Sequence, residues 1–571
     1  MTRLPILFLV VLLFVIALLY QRPNMVAPLN IYDEGIIVYG AIRVMDGQIP
    51  YRDFWTQYSP AQLYVLAALF KTLGKQILVE RWWDVVIRAG LALGLGGLAA
   101  QLTSRTGGFL AWVMGLLWVT YYGFFGYPIF QGLLFSLLSI AALTKVLAPT
   151  HPSHPELRVA GAAKETRRNG IKRPERSKRS GRSQVSEQHS ERPRNLQWLI
   201  LSGVLLGVAT LFRHDMAIYV GAAQTIVIFG HARTQHKLRA GFRQWLILAA
   251  SALLTVLPVV IFLLAHVRAY DLLDQLFIFP LTIFPKVRDL PYPELKGRVE
   301  ELPFYAPFLI YALAGSLALT ELWRNQRSDD PSGRPTDAGR PWGILLVVLF
   351  GLFGWNQARV RSDTIHTVQF FLPAVVLLPV LIHAAIQRAS LIRYAYAALA
   401  MTLCLAFSIA PIATYLETRQ LPNRVDTQRA LKFSPPVARG TIVSSEQLFA
   451  VQTIQGLTEP SEMVYVGLSN HSRVFANDVM FYVLMERSSP TRYHELHPGL
   501  VNTVAVQQEM IADLERNHVR YLVLTNMFEG AREPNDTAID SKVTLLDNYI
   551  KTHYQLAHTL GSYRILKRIK N

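Results

Sequence analysis

Cysteine is nearly absent from this chain. Among 571 residues only Cys404 carries a thiol, so no intramolecular disulfide and no cysteine-based metal site can form. Charge is scarce as well, at 17% of residues, where a soluble domain carries about 25%. Acid is the scarcer sign, with 39 Asp and Glu against 57 Lys and Arg. These shortages exclude a disulfide-stapled secreted scaffold and argue against an ordinary soluble protein.

Apolar sequence takes the place of charge: 51% of the residues are hydrophobic, and they fall in long runs. A helix needs about 20 apolar residues to cross roughly 30 Å of hydrocarbon. Runs near that length occupy 4–20, 82–102, 108–122, 125–147, 196–212, 216–230, 244–265, 304–320, 342–357, 367–387 and 393–416. About eleven transmembrane helices are therefore expected over residues 1–416. The first run follows Arg3 and continues into Gln21-Arg22-Pro23-Asn24 without a small-residue cleavage site. It reads as a retained helix with its N-terminus inside.

The net charge of +18 would suggest nucleic acid in a soluble protein. Here a large share lies in the loop 148–195, which holds 12 Lys/Arg against 5 Asp/Glu. It reads as a solvated cytoplasmic loop that sets topology, the alternatives for it being anionic lipid or RNA. No nucleic-acid partner is expected for the chain as a whole. Alternating the spans from an inside N-terminus puts 231–243 inside too, with four Lys/Arg and no acid. The outside loop 266–303 departs from the bias with five Lys/Arg. The expected location is the plasma (inner) membrane, multi-pass, with an extracytoplasmic C-terminal domain.

Between the first two spans lies an outer loop, 21–81. Its amphipathic stretches Glu34–Asp46 and Pro60–Leu73 are followed by Gly47 and Gly74, where helix caps are common, and read as interfacial helices. After Tyr415 the composition becomes that of a soluble domain. Short apolar runs at Met463–Val466 and Tyr521–Leu524 alternate with helical patterns such as Val501–Asn517. Residues 417–571 are therefore expected to form a small α/β domain.

Ionisable groups at the outer ends of spans carry the functional signal. Asp33-Glu34 opens the first interfacial helix. Two acids there serve as helix caps, or one serves as the general base that a sugar hydroxyl needs. Arg213-His214-Asp215 separates two short runs. Arg213 there is a ligand for a lipid phosphate or the internal partner of Asp215. The segment Arg359-Val360-Arg361-Ser362-Asp363-Thr364-Ile365-His366 offers Arg359, Arg361 and His366 to a phosphate through charge-assisted hydrogen bonds. Arg52 is a further phosphate candidate, although Arg52-Asp53 also reads as a turn with a local ion pair. The topology puts all these groups on one side of the membrane.

This arrangement resembles the GT-C superfamily of integral membrane glycosyltransferases, most nearly the protein mannosyltransferase and lipid A aminoarabinose transferase branch. The matching features are Asp33-Glu34 after the first span, the long first outer loop with its helices, Ser59-Pro60 followed by Leu73-Gly74 and Arg81, and the soluble C-terminal domain. The resemblance implies a polyprenyl-phosphate sugar donor, a lipid, glycan or protein acceptor, and inversion at the anomeric carbon. It implies Asp33 as the base or the acceptor-orienting carboxylate, Glu34 helping to hold the acceptor, and Arg213 and Arg361, with His366 beside them, on the phosphate. Relatives often carry another acid in the second outer loop, whereas Tyr121–Gln131 has none. Divalent metal use therefore stays open, and no metal ligand is assigned. The competing readings are a lipid or glycan transporter (flippase) and a non-catalytic assembly protein.

Overall fold

Inside hydrocarbon every backbone N–H and C=O must find its partner within the chain, and apolar runs therefore become helices. The computed structural model describes residues 3–124, 126–147, 183–327, 339–386, 392–424, 427–428, 431–432 and 434–569. Its helices in chain order are α1 (Arg3–Gln21), α2 (Asp33–Met45), α3 (Ala61–Leu73), α4 (Ile77–Leu102), α5 (Arg105–Tyr121), α6 (Ile129–Leu147) and α7 (Ser183–Phe212). They continue with α8 (His214–Thr234), α9 (Leu238–His266), α10 (Leu302–Arg327), α11 (Arg340–Val360), α12 (Val368–Ile386) and α13 (Ile392–Gln420). Each expected span coincides with one of these. Among the described residues nine helices are long and apolar enough to cross a membrane. The remaining two are α5, which has 17 residues, and α8.

Apolar helices divide by what surrounds them. The most apolar stretch of α12 is 72% buried and that of α9 only 11%, so α12 is a central strut, while Leu253, Leu254 and Ile261 of α9 face outward toward lipid. Most of the basic segment 148–195 lies outside the described residues. Its end from Ser183 is helical, continuous with α7.

Charge enters the bundle at α4. Asp84 and Arg88 are one helical turn apart, both buried, and Arg88 Nε meets Asp84 Oδ2 at 2.7 Å. The Arg88 guanidinium also donates to the carbonyls of Val119 at 2.6 Å and Gly123 at 2.7 Å, closing the open C-terminal end of α5. The expected span began at 82, whereas α4 starts at Ile77 and carries two more buried charges, Glu80 and Arg81, ahead of that point.

Residues 437–569 contain α14 (Ser445–Leu457), β1 (Tyr465–Leu468), α15 (Met480–Met485), α16 (Val504–Arg516), β2 (Tyr521–Thr525), α17 (Leu545–His553), β3 (Tyr554–Leu560) and β4 (Tyr563–Arg568). The strands form one mixed sheet in the order β1-β2-β4-β3, with β1 parallel to β2 and the other pairs antiparallel. Both parallel strands are buried throughout, which is why they read as unbroken apolar runs. The β3–β4 hairpin is exposed and polar along much of its length and was not legible in the sequence.

This C-terminal unit does not stand apart. Ile36, Ile37 and Val38 of α2 share one apolar core with Val451, Met480 and Ile565. Met480 N–H donates to Ile31 O at 2.9 Å. A Cβ on Gly35 would come within 2.6 Å of the Met480 nitrogen, so only glycine permits this approach. Arg43 completes the seam, donating to the carbonyls of Thr491 at 3.3 Å and Asp53 at 2.9 Å.

Candidate active site

Consecutive helical residues point about 100° apart, and that angle sends Asp33 and Glu34 to different surroundings. The start of α2 is capped by Asn30, whose side-chain oxygen accepts from the N–H of Asp33 at 2.9 Å and of Tyr32 at 3.3 Å. The Asp33 carboxylate is therefore released from capping. It accepts from the Asn30 amide at 3.0 Å and from the Tyr127 hydroxyl, and it lines a cavity of about 1260 Å³.

Glu34 points away from that cavity and is fully buried. Its two oxygens take the Arg81 fork, at 2.7 Å from Nε and 3.0 Å from Nη2. Arg81 Nη1 also donates to the carbonyls of Met25 at 2.6 Å and Ala27 at 2.7 Å. The pair thus staples the chain leaving α1 to α4.

Arg213, His214, Arg359, Arg361 and His366 line the same cavity as Asp33. Each arginine has a different set of partners. Arg213 forms a two-point pair with Asp215, at 2.9 Å and 2.6 Å, and Gln357 donates to the same carboxylate at 2.7 Å. His214 Nδ1 lies 2.9 Å from Ser59 Oγ, tying this turn to the segment before α3. The Arg361 fork holds Glu533 of the C-terminal unit at 3.0 Å and 2.7 Å, and its Nε holds Asp363 at 2.9 Å. The Arg361 guanidinium and Asn535 both hold the Glu533 carboxyl below its usual range against the opposing effect of burial. His366 Nδ1 donates to Asp363 at 2.6 Å. Arg359 is exposed and donates to Asn356 at 3.1 Å. It has no ion pair among the described residues. Arg52 lies outside this cavity, on an exposed turn, with its Nη2 at 2.8 Å from Asp53.

Two further groups in the cavity wall were not found from sequence. Arg288 is buried, donates to Tyr32 Oη at 3.1 Å and Phe475 O at 2.8 Å, and has no carboxylate partner among the described residues. Its signal was the excess of Lys and Arg in loop 266–303, a departure from the charge bias that the topology does not explain. Glu495 comes from the C-terminal unit, a segment with no local motif. Among the described residues no group of three or more His, Cys, Asp or Glu is disposed to hold a metal ion.

An all-helical membrane body, a long loop after the first helix carrying an aspartate, and a mixed-sheet unit seated on that loop make up a fold that this chain shares with solved structures of ArnT and of an archaeal oligosaccharyltransferase. No protein-family model matches the sequence, and no curated protein sequence matches it significantly, so the likeness is one of fold. ArnT from Cupriavidus metallidurans, solved bound to undecaprenyl phosphate, superposes with a TM-score of 0.53 at 12% identity, over 98% of this chain and 98% of that one. The oligosaccharyltransferase AglB from Archaeoglobus fulgidus, solved with an inhibitory peptide and a dolichol-phosphate, gives 0.50 at 11% identity, over 97% of this chain and 74% of that one. The Archaeoglobus fulgidus oligosaccharyltransferase tethered to an acceptor peptide also gives 0.50 at 11% identity, over 96% and 72%.

Proposed function

We propose that this chain is a membrane glycosyltransferase that moves a sugar from a polyprenyl-phosphate donor to an extracytoplasmic lipid, glycan or protein acceptor. The observation that carries this reading is convergence: Asp33 shares one cavity with Arg213, Arg288 and the neighbouring Arg359 and Arg361, which arrive from three separate segments of the chain. A scaffold has no need of such an arrangement. In the reaction, Asp33 takes the proton of an acceptor hydroxyl while that oxygen attacks the anomeric carbon. The bond from that carbon to the phosphate oxygen breaks on the opposite face, inverting the centre. The phosphate leaves as an anion and takes the bonding pair with it.

The arginines are ranked as phosphate ligands by what already holds them. Arg288 and Arg359 carry no carboxylate among the described residues and are the first candidates. Arg213 reaches the phosphate only by sharing itself with Asp215, and Arg361 by releasing Glu533. His214 and His366 add donors at the rim. Glu34 acts indirectly, fixing the loop that presents Asp33.

The proposed orientation has the cavity and residues 417–571 outside and the N-terminus in the cytoplasm, with 1–416 as the membrane domain. Ile129, at the start of α6, lines the cavity. A helix of 19 residues runs about 28 Å, so the end of α6 that leads to the basic segment lies a bilayer's thickness away. The test is to supply membranes with a panel of labelled undecaprenyl-phosphate sugars and follow the label. Asp33→Asn should fold normally and transfer roughly 100- to 10,000-fold more slowly. Near-normal transfer by that variant would remove Asp33 from the chemistry.

A further inference from the structure

The cavity wall opposite the membrane helices is built by residues of the C-terminal unit, and its acid is Glu495, 1% exposed. One oxygen, Oε1, accepts from the Tyr32 hydroxyl at 3.3 Å. The same hydroxyl accepts from Arg288 Nη2 at 3.1 Å, so guanidinium and carboxyl lie within about 6.5 Å of each other. The other oxygen, Oε2, is buried and has no hydrogen-bond partner among the described residues. A buried polar atom costs free energy when it is unpaired. Here the residue that carries it lines a cavity large enough to hold a ligand, which could supply the partner.

We propose that Glu495, as a neutral carboxylic acid, donates a hydrogen bond from Oε2 to the donor's phosphate, with Arg288 holding the same phosphate by charge. The C-terminal unit thereby completes the lipid-phosphate position and makes it dependent on a proton. This rests on the polyprenyl-phosphate reading above.

The surroundings favour the neutral form. Burial, helped by the nearby Asp33, pushes the Glu495 carboxyl up to about 8 against the pull of Arg288 and the Tyr32 hydroxyl. Tyr32 and Asp33 face it from the start of α2, Tyr58 from the segment before α3, and Arg288 from the outer loop. His494 and His497, on its own segment, are held neutral by burial. A neutral acid can donate to a phosphate oxygen, whereas an ionised one repels it. Affinity should therefore be full below pH 8 and fall as pH rises through that value.

The probe is undecaprenyl phosphate, binding to the purified full-length protein between pH 7.5 and 9.5. Its own second ionisation, near 6 for a phosphate monoester, is complete in that window. Wild-type affinity should be roughly 20-fold weaker at pH 9.5 than at 7.5. In Glu495→Gln, whose amide donates without titrating, the two affinities should agree within about twofold. Tyr32→Phe removes a hydrogen bond that holds the acid's pKa down, so the fall should move to higher pH. A flat wild-type profile, or a fall that Glu495→Gln shares, overturns the proton-dependent position. Absence of wild-type binding at every pH instead overturns the lipid-phosphate reading itself.

Discussion

Replacing Glu34 with Gln tests whether two adjacent acids have separate duties. Glu34 and Arg81 are both fully buried and joined at two points. Removing one charge leaves the other stranded, and breaking a buried pair in this way costs about 3–5 kcal/mol. Arg81 keeps its backbone partners Met25 O and Ala27 O, which places the expected loss toward the lower end. Among the described residues Asp33 has no cationic partner, only a neutral amide and a hydroxyl. Asp33→Asn should therefore cost no more than an ordinary hydrogen bond, about 0.5–1.5 kcal/mol. The assay is thermal unfolding at one scan rate in one detergent, paired with transfer activity on the same preparations. Glu34→Gln should melt well below Asp33→Asn yet keep activity at temperatures where it stays folded. Adding Arg81→Met should restore most of the stability, because an apolar replacement of the whole pair avoids the stranded charge. A Glu34→Gln protein as stable as wild type but inactive would refute the structural role, as would a double variant no more stable than the single.

The Arg361–Glu533 fork, part-buried at 16% and 13% side-chain exposure, clamps the C-terminal unit to the membrane body. Arg361→Ala should speed proteolysis within 525–545 while the transmembrane helices stay intact. Glu533 is held below its usual value, so its contribution is complete above about pH 4.5. It is lost as pH falls through the depressed value, and wild type should approach the variant's sensitivity in acid. Arg213→Ala should destabilise the protein by leaving Asp215 short of its cation, and adding Asp215→Ala should return much of the loss. Equal stability of the single and double variants would show that the pair is not coupled.

The helical body was legible because lipid leaves an apolar run no alternative to helix, and α12 and α9 declare themselves by composition although one is central and the other faces outward. The inward turn of the four charges of α4 was not, although Arg81 is part of the pattern that carries the family resemblance. Glu80, Arg81, Asp84 and Arg88 sit inside a span, and only the packed bundle shows that they turn inward. Asp33-Glu34 stood out as a unit, but adjacency in sequence concealed a 100° divergence in space. Arg361 looked like an available cation because its partner, Glu533, lies far along the chain. Arg288 and Glu495 sit in irregular segments where no period marks a buried face. Their meeting through Tyr32 is a tertiary event.

The core that α2 shares with the C-terminal unit also imposes an order on assembly. Ile31 and Met480 touch across about 450 residues of chain. At roughly 5–20 residues per second of synthesis, Ile36, Ile37 and Val38 are made some 20–90 s before the residues that cover them exist. During that interval the first outer loop is an uncovered apolar surface at the membrane face, and the Gly35 slot has nothing in it. A chain that stops short of Met480 leaves that surface permanently bare and also lacks Glu495. Quality control that removes proteins with exposed apolar loops would therefore eliminate chains that lack Met480, and a segment made late certifies one made early.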